Sequence, residues 1–119
     1  MSDLKYEPVA KLPRDVTVRD LSSDDPERIS AALYSATYHD PDWRWVQEEC
    51  LRFLTHENVL VRWAAATCLG DLATFHKTLD LPRVLPALLE ACKDESIRDP
   101  AEVSISFIKQ AVKTGKPDQ

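Results

Sequence analysis

This 119-residue sequence predicts an all-α chain, a stack of antiparallel helices. Three observations carry the prediction. Glycine occurs only at Gly70 and Gly115, too rarely for tight hairpins, whose turns favour Gly or Asn at φ > 0. Several stretches repeat their apolar residues at spacings of three and four, the period of one helix face. Asp-Pro and Glu-Asn pairs stand where those stretches begin, as helix starts do.

The chain begins with its least regular part. Pro8 and Pro13 interrupt a helix, and Val16-Thr17-Val18 favours extended backbone. Residues 1–24 therefore read as an irregular arm or a cap over the first helix, with a disordered tail to about Lys11 as the alternative. The first helix runs from Pro26 to about Tyr38, with Asp25 as N-cap and Pro26 at the first position, where its missing N–H costs nothing. Ile29, Ala32, Leu33 and Ala36 form its buried stripe, and Glu27, Ala31, Tyr34 and Tyr38 another side. The second helix spans about Pro41 to Thr55. Trp43, Val46, Cys50, Phe53 and Leu54 point inward, opposed by Trp45, Glu48, Glu49 and Arg52.

The third helix, capped by Asn58 and ending near His76, organises the chain. Val61, Ala65, Cys68, Leu69, Leu72 and Phe75 share one face. Ala64, Ala66 and Gly70 are small enough for a neighbour to approach closely, which offsets the roughly 1 kcal/mol that a mid-helix glycine costs relative to Ala. The fourth helix runs from about Pro82 to Lys93, or starts nearer Leu85 because Pro86 is awkward inside a helix. Its face is Val84, Leu85, Leu88, Leu89 and Cys92. The fifth, capped by Asp99, runs from Pro100 to about Lys113 on Ala101, Ile105, Ile108 and Val112, widened by Phe107 and Ala111. Residues 114–119 read as a polar tail.

Composition narrows the classes of function. Hydrophobic content of 44% and charged content of 29% suit one globular domain. A net charge of -5 disfavours phosphate backbones and suits a basic protein partner, because opposite potentials speed encounter. Cys50, Cys68 and Cys92 lie on apolar faces without a CxxC pair, so neither disulfides nor zinc are expected. Buried thiols, no apolar leader in the opening residues and no run of about 18 apolar residues point to a soluble cytoplasmic protein, off the membrane. No cofactor motif occurs.

The segment Glu57-Asn58, Val61-Arg62, Ala64-Ala65-Ala66, Leu69-Gly70-Asp71-Leu72 resembles the second helix of a HEAT repeat. Leu81 to Ser96, with its proline before Ala87-Leu88-Leu89, resembles a first helix. Arg44-Trp45, Cys50-Leu51 and Leu54 reappear one helix and one turn later as Arg62-Trp63, Cys68-Leu69 and Leu72. The resemblance covers residues 25–113. It implies a short α-solenoid of about five helices: repeats 41–76 and 82–113, with helix 26–38 the second half of another. The last helix departs from the pattern, with Ser104 where an Arg is usual.

Catalysis is not indicated. His39, His56 and His76 sit apart at helix ends, and adjacent acids on a helix diverge by about 100°, too far for a shared proton. The aromatic residues are more informative. Trp45 stands with Glu48, Glu49 and Arg52, either as an interface anchor or packed under the N-terminal arm; Tyr34 and Tyr38 pose the same choice. Trp63 reads as a wedge between repeats. The resemblance implies a concave surface lined by second helices, presenting Glu27, Tyr34, Tyr38, Arg62, Asp71, Glu102 and Lys109. Arg62 also matches the family arginine that bonds within or between repeats. The partner-binding set is therefore Glu27, Tyr34, Tyr38, Trp45, Glu48, Glu49, Arg62 and Asp71.

The reading that follows is a non-catalytic protein-interaction module, an adaptor or inhibitor such as a bacterial toxin-immunity protein. The alternatives are an enzyme-associated factor similar to phycobilisome lyases, which needs an exposed cysteine in an apolar cleft, and a nucleic-acid-binding protein, which needs a basic concave face.

Overall fold

The computed structural model describes residues 9–115, and these form six helices: α1 (Arg14–Leu21), α2 (Pro26–His39), α3 (Trp43–Phe53), α4 (Val59–His76), α5 (Leu81–Ala91) and α6 (Arg98–Gly115). They make three hairpins, α1–α2, α3–α4 and α5–α6, whose second members α2, α4 and α6 pack side by side. This is the all-α HEAT-like stack expected from the sequence, with α4 at its centre. Sequence positions 1–8 and 116–119 lie outside the described residues, and with them most of the expected N-terminal tail and polar stop.

The local chemistry explains the helix ends. The carboxylate of Asp25 accepts the Glu27 N–H, Asp42 accepts that of Trp45, and the amide oxygen of Asn58 accepts that of Leu60. Each satisfies a donor that the first turn leaves open. Lys77 ends α4 with φ of 59°, and its N–H returns to the Ala73 carbonyl.

The structure corrects the sequence at several points. Residues 14–21 are helical, so Val16-Thr17-Val18 is not extended and the stack has six helices rather than five. Burial overrides β propensity here: Thr17 and Leu21 are buried, and the Thr17 hydroxyl donates to the Pro13 carbonyl. α1 thus supplies the first half of the repeat that the sequence left incomplete. α5 begins at Leu81 and runs through Pro86. Only one hydrogen bond is forfeited, and both Pro82 and Pro86 are exposed, so the freed carbonyl meets water. α6 starts at Arg98, placing Asp99 inside the first turn instead of at the cap.

The core is one cluster. Val61, Ala64, Ala65, Ala66, Cys68, Leu69, Leu72 and Ala73 of α4 join Ile29, Ala32 and Leu33 of α2, Val46 and Cys50 of α3, Val84 and Leu88 of α5, and Ala101 and Ile108 of α6. α4 and α6 approach so closely that a Cβ at Gly70 would lie 2.8 Å from the Ser104 Cα. Ser104, which stands where the family pattern has Arg, is buried and donates to the Ala66 carbonyl at 2.6 Å. An arginine has no room there. Three residues assigned to the core are instead exposed: Phe75 (48%), Leu89 (58%) and Phe107 (42%). Trp63, expected as a wedge, is 43% exposed.

Candidate interaction surface

The second helices place aromatic side chains on the outer face of the α2–α4–α6 row. Along α4, Leu60, Trp63, Thr67, Asp71 and Thr74 recur at three and four residues and form the stripe that the core leaves uncovered. Near its C-terminal end the Tyr38 ring of α2 meets Phe75 edge-on, with centroids 5.0 Å apart. The Tyr38 hydroxyl donates to the Asp71 carboxylate at 3.2 Å. Across α4, Asp71, Thr74 and Lys77 face Phe107, Gln110 and Ala111 of α6 over a cleft of about 360 Å³.

Asp71 is the unusual charge in this arrangement. Burial pushes its carboxyl up, against the lowering effect of the Tyr38 hydrogen bond. The Tyr34 phenol is also pushed up, to about 12, first by burial, with Cys68, Asp71 and Tyr38 adding to the rise. Tyr34, Tyr38 and Asp71 thus belong together, as three of the eight residues singled out from sequence.

The other five lie elsewhere. Trp45 is half-buried under the guanidinium of Arg14, whose carbon stands 3.9 Å from the ring centroid, so the N-terminal segment covers it. Arg14 also grips Asp40 through two hydrogen bonds of 2.7 and 3.0 Å. Glu48 binds Arg83 and Gln47, linking α3 to α5, and Glu49 pairs with Arg52 on its own helix. Arg62 donates to the carbonyls of His56 and Glu57 and to Asp94 and Ser96, tying the α3–α4 turn to the α5–α6 turn. That is the bonding within and between repeats that the resemblance implied. Glu27 is exposed in the first turn of α2.

Sequence reasoning missed Trp63, Phe75 and Phe107 as surface residues. The signal was present for Trp63, which stands two turns before Asp71 on the same stripe. For Phe75 and Phe107, an aromatic ring beside an apolar stripe reads as core until the neighbouring helix is positioned.

A second cleft, of about 480 Å³, lies at the ends of α3 and α5 and is lined by Leu51, Leu54, Ala87, Ala91 and Ile97 beside the Arg62–Asp94 pair. No cysteine lines it. Cys50 and Cys68 are fully buried and Cys92 partly so, which leaves the thioether chemistry of the lyase alternative without an exposed thiol in this cleft. Among the described residues, no group of three or more His, Cys, Asp and Glu side chains could hold a metal ion, and no helix is long and apolar enough to cross a membrane.

Comparison with known proteins agrees with this architecture. The family model for HEAT repeats matches residues 18–107. A search of curated proteins finds no match. Among solved structures, a chain in the crystal structure of a CDI complex from Cupriavidus taiwanensis is similar, with a TM-score of 0.82 and 24% identity over 91% of this chain and 97% of that one.

Proposed function

Because the chain belongs to the HEAT-repeat family, whose stacked second helices offer an extended binding surface, we propose that it is a non-catalytic module that binds a protein partner through the α2–α4–α6 face. The partner in this reading is a basic domain, such as a bacterial toxin, and the chain is its immunity protein. It acts by steric occlusion, laying an acidic, aromatic-bearing face over the partner's working surface. One observation carries the proposal: Tyr38, Trp63, Phe75 and Phe107 are each 40–48% exposed on the three second helices, around the half-buried Asp71. Large aromatic side chains concentrate binding energy at interfaces, and a folded chain gains nothing by leaving them wet. The likeness of fold to a chain of a CDI complex supports the toxin-immunity reading, and the net charge of -5 supports a basic partner.

The test is co-expression of the tagged chain with the product of the adjacent gene, read by co-purification and by growth of the host. We expect a stoichiometric complex and restored growth, with Trp63→Ala and Phe107→Ala each weakening the complex at least tenfold. A complex indifferent to both changes but broken by Trp45→Ala would move the interface to α3. Absence of any complex and of any protection would refute the immunity reading.

A further inference from the structure

We propose that the cleft between α4 and α6 is an acceptor for one arginine side chain of the protein partner, held by Asp71 and the aromatic groups around it. The inference rests on the binding face proposed above and names the chemistry that it reads.

Asp40, Glu48, Glu49 and Asp94 each face an arginine of their own: Arg14, Arg83, Arg52 and Arg62. Asp71 is half-buried, yet among the described residues it forms no ion pair and receives one neutral hydrogen bond, from Tyr38. Lys77 lines the same cleft without pairing with it. A carboxylate stripped of part of its water without a cation is costly, and the cost is offset when a cation arrives. The partner therefore supplies what the chain withholds.

The surroundings favour guanidinium over ammonium. Phe107 and Thr74 line the cleft with Asp71, and the Tyr38 ring, which meets Phe75 edge-on, carries the hydroxyl bonded to the carboxylate. A planar guanidinium can stack on a ring and donate two parallel hydrogen bonds to a carboxylate, which a compact ammonium cannot. The volume of about 360 Å³ is at the small end for ligand clefts and suits a single long side chain.

The probe is N-acetyl-L-arginine amide, titrated into the ¹⁵N-labelled full chain and followed by amide chemical shifts. Its citrulline counterpart, of the same shape without charge, and its lysine counterpart are titrated in parallel. We expect saturable shifts for residues 71, 74 and 107–111 with arginine amide, weaker binding of lysine amide, and none of citrulline amide. Asp71→Asn should weaken arginine binding at least tenfold, and Phe107→Leu, on an exposed position, severalfold. No saturable shift, equal shifts from citrulline, or binding that survives Asp71→Asn would overturn the proposal. The co-purification experiment reports separately. A complex that forms but ignores Asp71→Asn leaves the binding face standing and removes the arginine acceptor. Arginine amide binding without any protein partner leaves the acceptor standing and removes the immunity reading.

Discussion

Replacing Gly70 by Ala sets two effects against each other in the helix pair that the stack depends on. The new methyl group should stabilise α4 by about 1 kcal/mol, because glycine is the poorer helix former. The same methyl would lie 2.5 Å from the Ser104 Oγ, 2.8 Å from its Cα and 2.9 Å from its Cβ. Two of these atoms cannot rotate away, so α6 itself must retreat. Overpacking of this kind costs about 1–3 kcal/mol. Retreat also stretches the 2.6 Å bond from Ser104 to the Ala66 carbonyl, worth about 1 kcal/mol. The net expectation is destabilisation by about 1–3 kcal/mol, or roughly 4 °C in Tm per kcal/mol for a chain of this length. Urea and thermal unfolding followed by far-ultraviolet circular dichroism would measure it. Ser104→Gly in the same chain should not restore stability, because the α6 backbone at position 104 still blocks the methyl. A Gly70→Ala protein as stable as the parent, or more so, would show that α4 and α6 do not touch as closely as this account requires.

Three further outcomes are expected. Asp71→Asn should raise the thermal midpoint at neutral pH: the folded carboxyl lies above its unfolded value, so ionisation opposes folding, and the parent regains stability as pH falls through the folded pKa. The advantage of the variant should therefore shrink toward acid pH, and an advantage independent of pH would refute the electrostatic cause. Gln47→Leu removes the Oε1 that accepts the Asp80 N–H at 2.8 Å and leaves the start of α5 short of a partner, for a loss of about 1–3 kcal/mol in urea unfolding. With Ellman's reagent, Cys92 should react in the folded protein, while Cys50 and Cys68 wait for denaturant, since both are fully buried and burial holds the Cys68 thiol well above its usual range.

The fold was legible where local signals agreed. Asn58 as a cap, the small residues at 64, 66 and 70, and the three-and-four spacing all pointed to the same packed helix, and α4 follows them from Val59 to His76. Legibility failed where tertiary contact decided. Nothing local to Arg14–Leu21 outweighs two β-branched valines and a threonine; its helix exists because Thr17 and Leu21 are buried, while Leu12 N–H donates to the Ser35 hydroxyl and the His39 ring contacts the Val9 carbonyl. The arrangement of the candidate site was partly legible for the same reason. Helical phase put Tyr34 and Tyr38 on a face apart from the core, and the family pattern put Asp71 among the second-helix residues. Phase could not tell that Arg14 would cover Trp45, because the two are distant in sequence and meet only in the folded stack.

The two sides of α4 answer to different demands. One carries Ala64, Ala66, Cys68, Leu69 and Gly70, each pressed against another helix, where a single added methyl is felt. The other carries Leu60, Trp63, Thr67 and Thr74, which the frame hardly uses. A change on the first side alters whether the chain folds; if the second belongs to the binding face we propose, a change there alters what the chain recognises. Recognition can then be rewritten one surface residue at a time on an unchanged scaffold, so that closely similar backbones serve unlike partners while sharing little sequence.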